Sequence, residues 1–421
     1  MSGSDAVLPT PDPIAARHGS NKSNHHEQTL LTMHPHTCWG KKHLCCTLSS
    51  RSNFTRDWAN LGGDGPIGLI ADLVLANDVA DYLRFRAVCR PWRRSSPDPR
   101  AGGLDRRFLP RQWIMLDKAI TANPRCHRFL NISTGECIRM DLPELDELRC
   151  LAVTPEGLLL LLNETTLVVR LLNLLTRQLI HLPPVTTLLT EDERAMLSMG
   201  EMSLQVYGVG LADDASTVAV YFADPRVLVV AKPGDECWAV VYDGTLLSTV
   251  SSAGRFYCCI GIDVMVLDMD QQPRLVMAAE NSSSIRFSEM AHSVHLVDNA
   301  GELMLVHRSL YRDSQNNHKR KYEVYRVDLD SGTLVPAKSF HGRAVFMGGN
   351  RTISVAAEAF PSVAADTLYL GCDFSERTGT GRYNLVDTSN KPIHNDSSAD
   401  MYPCSIIHCL SRCVWGMGNF E

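Results

Sequence analysis

A short pattern recurs along the chain: an apolar strand, a turn headed by Asn or Asp, and a second apolar strand. It reads FLNISTGECI at Phe129–Ile138, LNLLTRQLI at Leu172–Ile180, VDNAGELM at Val297–Met304 and VDLDSGTLV at Val327–Val335, with a longer version, VLDMDQQPRLV, at Val266–Val276. Asn131, Asn173, Asp298 and Asp328 head turns in which the side chain can cap its own backbone, and several supply glycine where a positive φ is wanted. Recurrence at roughly thirty to forty residues, with strand-forming residues throughout, predicts radial β-repeats, a propeller arrangement that leaves few exposed sheet edges. A β-sandwich or a different repeat fold shares the pattern, and the irregular spacing sets no blade number.

The leucine-rich stretch Leu158–Leu175 is the one candidate for a membrane span. Asn163, Glu164, Arg170 and Asn173 interrupt it, so no apolar run approaches the roughly eighteen residues that a span needs. Turn residues at Pro155–Gly157 and Asn163–Thr166 bracket Leu158–Leu162, and Leu167–Leu172 follows as the return strand. Both read as buried strands.

Between Pro66 and Trp92 the apolar period becomes helical. In PIGLIADLVLAN (Pro66–Asn77), Ile67, Ile70 and Val74 share one face and Leu69 and Leu73 the adjacent one. Asn77 is the expected N-cap of a second helix, on which Val79, Tyr82, Leu83 and Arg86 stack beside Phe85, Val88 and Cys89. Arg90 precedes a proline and is pushed from helical geometry, and Pro91 suits the first position of a third helix carrying Trp92. Three helices in so few residues bury too little surface to be stable alone, so the unit needs a partner or a neighbouring domain.

The segment resembles an F-box, the helical module that docks a protein onto a Skp–cullin ubiquitin ligase. That family's pattern has a Leu-Pro start, an acid two residues after the proline, and a finish of the form D-L-x-R-F-R-x-V-C-R-x-W. Here the finish is DYLRFRAVCRPW, Asp81–Trp92, while Gly65 replaces the leucine and Gly68 the acid. A helical glycine costs about 0.5–1 kcal/mol relative to alanine, so adaptor binding is expected to be looser than usual. The alternative is an ordinary helical hairpin within a larger core. From Asp57 to Trp415 the chain resembles the plant F-box proteins with a C-terminal propeller-like domain of the KIB type, including WAVVYDG (Trp238–Gly244), AVFMGGNRTISV (Ala344–Val355), ADTLYLG (Ala365–Gly371) and YNLVD (Tyr383–Asp387). The resemblance implies an architecture and an adaptor role; it assigns no chemistry to the Gly348–Gly349–Asn350 turn and names no substrate.

The expected fold is therefore α+β, a three-helix F-box (57–110) followed by a mostly antiparallel all-β domain (111–416), an irregular β-propeller. Residues 1–56, rich in Ser, His, Thr, Asn and Pro, are expected to form a disordered tail and 417–421 a short terminal one. No basic segment followed by an apolar stretch opens the chain, and Lys41, Lys42 and Arg51 make no transit peptide. The fourteen cysteines are scattered, and reduced thiols in a cytoplasmic or nuclear protein are expected. A net charge of −6 spread over both signs excludes a global nucleic-acid surface.

Chemistry is sparse. Tyr207–Gly210 (YGVG) lacks the spacing and following helix of a dinucleotide fingerprint. His34, His36, Cys38, His43, Cys45 and Cys46 could bind zinc but lack an established ligand spacing, and Cys404, Cys409 and Cys413 sit among apolar residues as small hydrophobes. The arginines 84, 86, 90, 93, 94, 100, 106 and 107 form a basic run without an aromatic platform, so a solvated or adaptor-facing helix side is expected rather than nucleic acid. His318–Lys321 reads as a charged loop at a propeller rim or a nuclear signal. Neither metal nor cofactor is expected. The leading reading is a non-catalytic substrate receptor whose helices bind a Skp-family adaptor, and through it a cullin, using Pro66, Ile67, Leu69, Ile70, Leu73, Val74, Tyr82, Leu83, Phe85, Arg86, Val88, Cys89 and Trp92, while the β domain binds a protein substrate. The alternatives are a propeller binding or regulatory protein outside any ligase, and a propeller hydrolase with an acid/base cluster in its channel.

Overall fold

An all-leucine strand has no polar face to give to water, so both of its faces must be covered. A computed structural model describes residues 66–118, 126–212, 216–281, 292–312, 314–316, 318–349, 351–370, 381–392 and 405–414, and in it Leu158–Leu162 is a strand whose five side chains are all buried. Leu158, Leu160 and Leu162 enter one apolar core and Leu159 and Leu161 another, as strand alternation requires. Burying each leucine is worth about 2 kcal/mol. The expected tails 1–56 and 417–421, with the His34–Cys46 cluster, lie outside the described residues.

Six sheets account for the double coverage. Blade 1 holds β1 (Trp113–Lys118), β2 (Cys126–Asn131) and β3 (Cys137–Asp141); blade 2 holds β4 (Arg149–Val153), β5 (Leu158–Leu162), β6 (Val168–Asn173) and β7 (Gln178–Pro184). Blade 3 holds β8 (Gln205–Leu211), β9 (Val218–Asp224), β10 (Arg226–Ala231) and β11 (Ala239–Asp243); blade 4 holds β12 (Ser248–Ser252), β13 (Arg255–Ile260), β14 (Asp263–Asp268) and β15 (Arg274–Ala279). Blade 5 holds β16 (His292–Asn299), β17 (Glu302–Arg312), β18 (His318–Asp328) and β19 (Thr333–Ala337). Blade 6, from β20 (Arg343–Met347), β21 (Thr352–Ala356), β22 (Thr367–Leu370), β23 (Gly381–Asn384) and β24 (Asn390–Pro392), runs in the order β21-β20-β22-β23-β24. All these pairs are antiparallel except β20 with β22. One apolar core lies between each pair of successive blades, and a sixth joins blade 6 back to blade 1, so the ring is closed. The fold is a six-bladed β-propeller.

The Asx turns behave as their side chains allow. Asn131 Oδ1 accepts from the amides of Ser133 and Thr134 at 2.9 and 3.1 Å, Asn173 from Leu175 and Thr176 at 3.1 and 3.2 Å, and Asp328 from Asp330 and Ser331 at 3.2 and 3.3 Å. Asp298 caps Gly301 instead, in the turn from β16 to β17. The glycines of YGVG serve packing: a Cβ on Gly208 would lie 2.7 Å from Thr249 Cβ and one on Gly210 2.6 Å from Ser251 Cβ, so inner strand β8 can approach β12 only without side chains there.

Three features depart from the sequence reading. Ile406–Cys413 is a helix, capped by Ser405, that sends Cys409 and Leu410 into the core between blades 6 and 1 where blade 1 has only three strands. Gly348 permits this closure, because a Cβ there would lie 2.1 Å from the Val414 carbonyl oxygen; the Gly-Gly turn thus gains a packing role, while Asn350 lies outside the described residues. His318–Lys321 is strand rather than loop, paired with Arg312, Tyr311, Leu310 and Ser309 in the long β17–β18 hairpin. A further helix, Glu191–Ser198, links blades 2 and 3 behind a capping box formed by Thr190 and Glu193.

Candidate functional site

Preceding the ring are α1 (Pro66–Asn77), α2 (Val79–Val88) and α3 (Arg90–Arg94). Only Asp78 separates the first two. Its extended backbone (φ −156°, ψ 134°) lets one carboxylate oxygen accept from the amides of Ala80 and Asp81, so the N-cap is Asp78, one residue later than expected. Asn77 is spent as the last residue of α1. The other oxygen accepts from Trp113 Nε1 at 2.9 Å and Asn131 Nδ2 at 2.8 Å. A single side chain thus starts a helix and ties it to blade 1.

The helices have their own small core of Ile67, Ala71, Tyr82, Phe85 and Phe108, with Val74, Leu75 and Trp92 half-buried against it. Phe85 stacks on Trp92 with centroids 4.5 Å apart. The break before α3 falls at Cys89, whose extended backbone precedes a helix that already includes Arg90. The basic run is largely structural: Arg86 is buried and donates to the carbonyls of Arg93, Ser96 and Pro97, Arg84 pairs with Asp81 and Glu136, Arg100 donates to the Thr176 carbonyl at 2.7 Å, and Arg107 pairs with Asp105. Asp105 is thereby held below the usual carboxylate range.

The thirteen candidate docking residues therefore divide. Ile67, Tyr82, Phe85 and Arg86 are interior, and Val74, Leu83, Cys89 and Trp92 are half-buried. Pro66 is exposed, and so are Leu69, Ile70, Leu73 and Val88, by 66%, 42%, 72% and 64%. Pro66, Leu69, Ile70 and Leu73 fall at i, i+3, i+4 and i+7, one stripe of α1, while Ile67, Ala71 and Val74 form the stripe that holds the fold. Ile70 thus parts from Ile67 and Val74, with which the sequence grouped it. A surface helix with two apolar stripes leaves one of them for a partner.

A second site lies on the propeller axis. Inner strands β4, β8, β12, β16 and β21, with residues of blade 1 and Cys413, line a cavity of about 300 Å³. Arg111, Arg343, Arg351 and Asp298 are its charged lining among the described residues. Burial pushes Asp298 up despite the Gly301 amide, the Ser252 hydroxyl and the nearby Arg343 and Arg111, and burial lowers Arg343 and Arg351. Glu156, buried where β4 turns into β5, accepts from the Leu211 amide and the Ser251 hydroxyl and so joins blades 2, 3 and 4. None of these residues is adjacent in sequence to another, so no motif announced them.

Ring, axial cavity and uncovered helical stripe together define a β-propeller interaction protein. The chain belongs to the KIB1-4 beta-propeller family, whose model matches residues 129–385. No curated protein matches it. Among solved structures it is similar to a catalytically inactive virginiamycin B lyase from Staphylococcus aureus (9% identity, 68% of this chain and 87% of that one, TM-score 0.32). It is similar also to the Cps50 (Swd1) β-propeller domain of Myceliophteria thermophila (9%, 63% and 81%, 0.31) and to Kluyveromyces lactis Hsv2 (11%, 52% and 72%, 0.28).

Proposed function

We propose that this chain is the substrate-receptor subunit of a Skp–cullin–F-box ubiquitin ligase, with α1–α3 as its F-box and the propeller as the surface that binds a protein to be modified. The observation that carries the reading is the second apolar stripe of α1, Pro66, Leu69, Ile70 and Leu73, which is exposed and which no described residue covers. The DYLRFRAVCRPW finish at Asp81–Trp92 supports it by resemblance. The occupant is a Skp-family adaptor: an apolar stripe with Asp72 as its helix's one charged residue suits a partner's apolar groove.

In this role the chain performs no bond chemistry. It holds a substrate lysine near a charged ubiquitin-conjugating enzyme, replacing a bimolecular encounter by an effectively intramolecular one. The protein acts where adaptor and cullin occur, in cytoplasm or nucleus; among the described residues no helix is long and apolar enough to cross a membrane. A propeller binding protein outside any ligase is the second reading, favoured by Gly68 inside α1 and by the Asp78 tie, which makes the helices part of the propeller's own architecture.

Affinity capture of the full chain from cells tests the choice. Recovery of a Skp-family adaptor and a cullin is expected, and Leu69→Asp/Leu73→Asp should lose both while propeller partners are retained, since a charge placed on an apolar contact face has no counter-ion there. Recovery of propeller partners from both chains, with adaptor from neither, supports the second reading instead.

A further inference from the structure

We propose that the axial cavity binds a small organic anion, a carboxylate or phosphate head on an apolar body, with Arg351 as the residue that takes the head group. A guanidinium is charged at any physiological pH, and inside a protein it needs an anionic partner. Arg351 lines both the main cavity and a smaller one that His295 and Gly349 also bound. Among the described residues no side chain forms an ion pair or hydrogen bond with its guanidinium. The groups that act on its charge are the thiols of Cys413 and Cys150. Burial pushes Cys150 up to about 12, so it is neutral and compensates nothing.

The other charges of the cavity do not supply the missing anion. Asp298 is the single carboxylate of the described lining and is engaged with the Gly301 amide at 2.6 Å and with the fields of Arg343 and Arg111. Arg343 gives two of its donors to the Ser354 hydroxyl and carbonyl, at 2.8 and 3.0 Å. The described lining thus holds three guanidiniums and one carboxylate, and Arg343 and Arg111 act on Asp298 whereas Arg351 does not. The lining sets the aliphatic side chains of Leu151, Val153, Val206, Val209, Val250 and Ile353 beside the polar ones of Gln112, Ser133, Tyr207, Thr249 and Thr352, which fits a small organic body rather than a polyphosphate. A volume of about 300 Å³ lies at the small end of ligand pockets. A planar guanidinium also presents paired donors that match either head group in bidentate fashion.

The probes are benzoate and phenyl phosphate, with benzyl alcohol as the neutral control, added to the full chain and followed by thermal shift and by saturation-transfer NMR. Saturable binding of at least one anion, with none of the alcohol, is expected; which anion binds more tightly distinguishes a carboxylate from a phosphate ligand. Arg351→Gln should weaken that binding by at least tenfold and Arg351→Lys by less. The signature that a merely structural arginine does not share is in the ligand-free protein: Arg351→Gln removes a half-buried charge that has no partner among the described residues, and it should raise the melting temperature while binding is lost. Absence of saturable binding by the unmodified chain, equal binding by Arg351→Gln, or a fall in its ligand-free melting temperature would overturn the proposal. The first of these outcomes needs no variant to fold, and none depends on adaptor binding by α1.

Discussion

Asp78→Ala should destabilise the chain by about 3–4 kcal/mol, far more than a surface substitution. Loss of an N-cap costs about 1 kcal/mol. The second oxygen contributes charge-assisted bonds to Trp113 and Asn131, each worth about 1.5–3 kcal/mol net, and both donors are on buried residues that would be left unpaired. The losses overlap because one side chain makes all four bonds, so the sum is not taken in full. Asp78→Asn keeps an acceptor for the cap but cannot offer two acceptor oxygens, and should fall between alanine and the unmodified chain. Urea unfolding followed by tryptophan fluorescence measures the order. A loss below about 1 kcal/mol for alanine would mean that the helices are not tied to blade 1 through this residue.

Gly157→Ala is the second large effect. Gly157 has φ +83°, and a Cβ there would lie 2.2 Å from the Pro110 carbonyl oxygen, a backbone atom that no rotamer change can withdraw. Left-handed geometry costs about 1–2 kcal/mol for a residue with a Cβ, and overpacking adds about 1–3 kcal/mol. Gly234 is the control, with φ +96° and nothing within 4 Å of its hypothetical Cβ; its alanine variant should show the conformational cost alone. Equal unfolding midpoints for the two would show that the segment before Trp113 does not press on the turn between β4 and β5.

Propeller architecture was legible because it is written in short-range chemistry repeated many times. Leu158–Leu162 can be apolar at every position only if the sheet is covered on both sides, and the Asn131, Asn173 and Asp328 side chains cap the turns that they head. Closure was not legible. It depends on Ile406–Cys413, whose role is to fill a gap left by a three-stranded blade at the other end of the chain, and no local pattern reports that gap. The Glu191–Ser198 helix could have been found, since TEDE at Thr190–Glu193 carries the capping-box spacing. The N-cap error between Asn77 and Asp78 is a boundary error of one residue, but it hid a tertiary contact, because only Asp78 reaches Trp113 and Asn131.

The exposed stripe proposed for docking was half legible. Helical period identified the apolar positions of α1 and α2, yet period alone cannot say which of two stripes packs inward. Phe108 and the half-buried Trp92, which come later in the chain, decide that Ile67, Ala71 and Val74 face the core and that Leu69, Ile70 and Leu73 do not. Leu83, an obvious substitution target from the sequence, is half-buried, so Leu83→Asp would mix loss of docking with loss of fold. Arg351 and Asp298 were invisible as a site because the inner strands bring them together from separate blades.

The most direct measurement is a calorimetric titration of the purified full chain with a purified Skp-family adaptor, run in parallel on Leu69→Asp/Leu73→Asp. One-to-one binding by the unmodified chain is expected. The double variant should bind at least a hundredfold more weakly while its circular dichroism and unfolding midpoint stay unchanged, because the substituted side chains touch solvent rather than core. Absence of adaptor binding by the unmodified chain, or equal binding by the double variant, would contradict the assignment of this stripe to an adaptor.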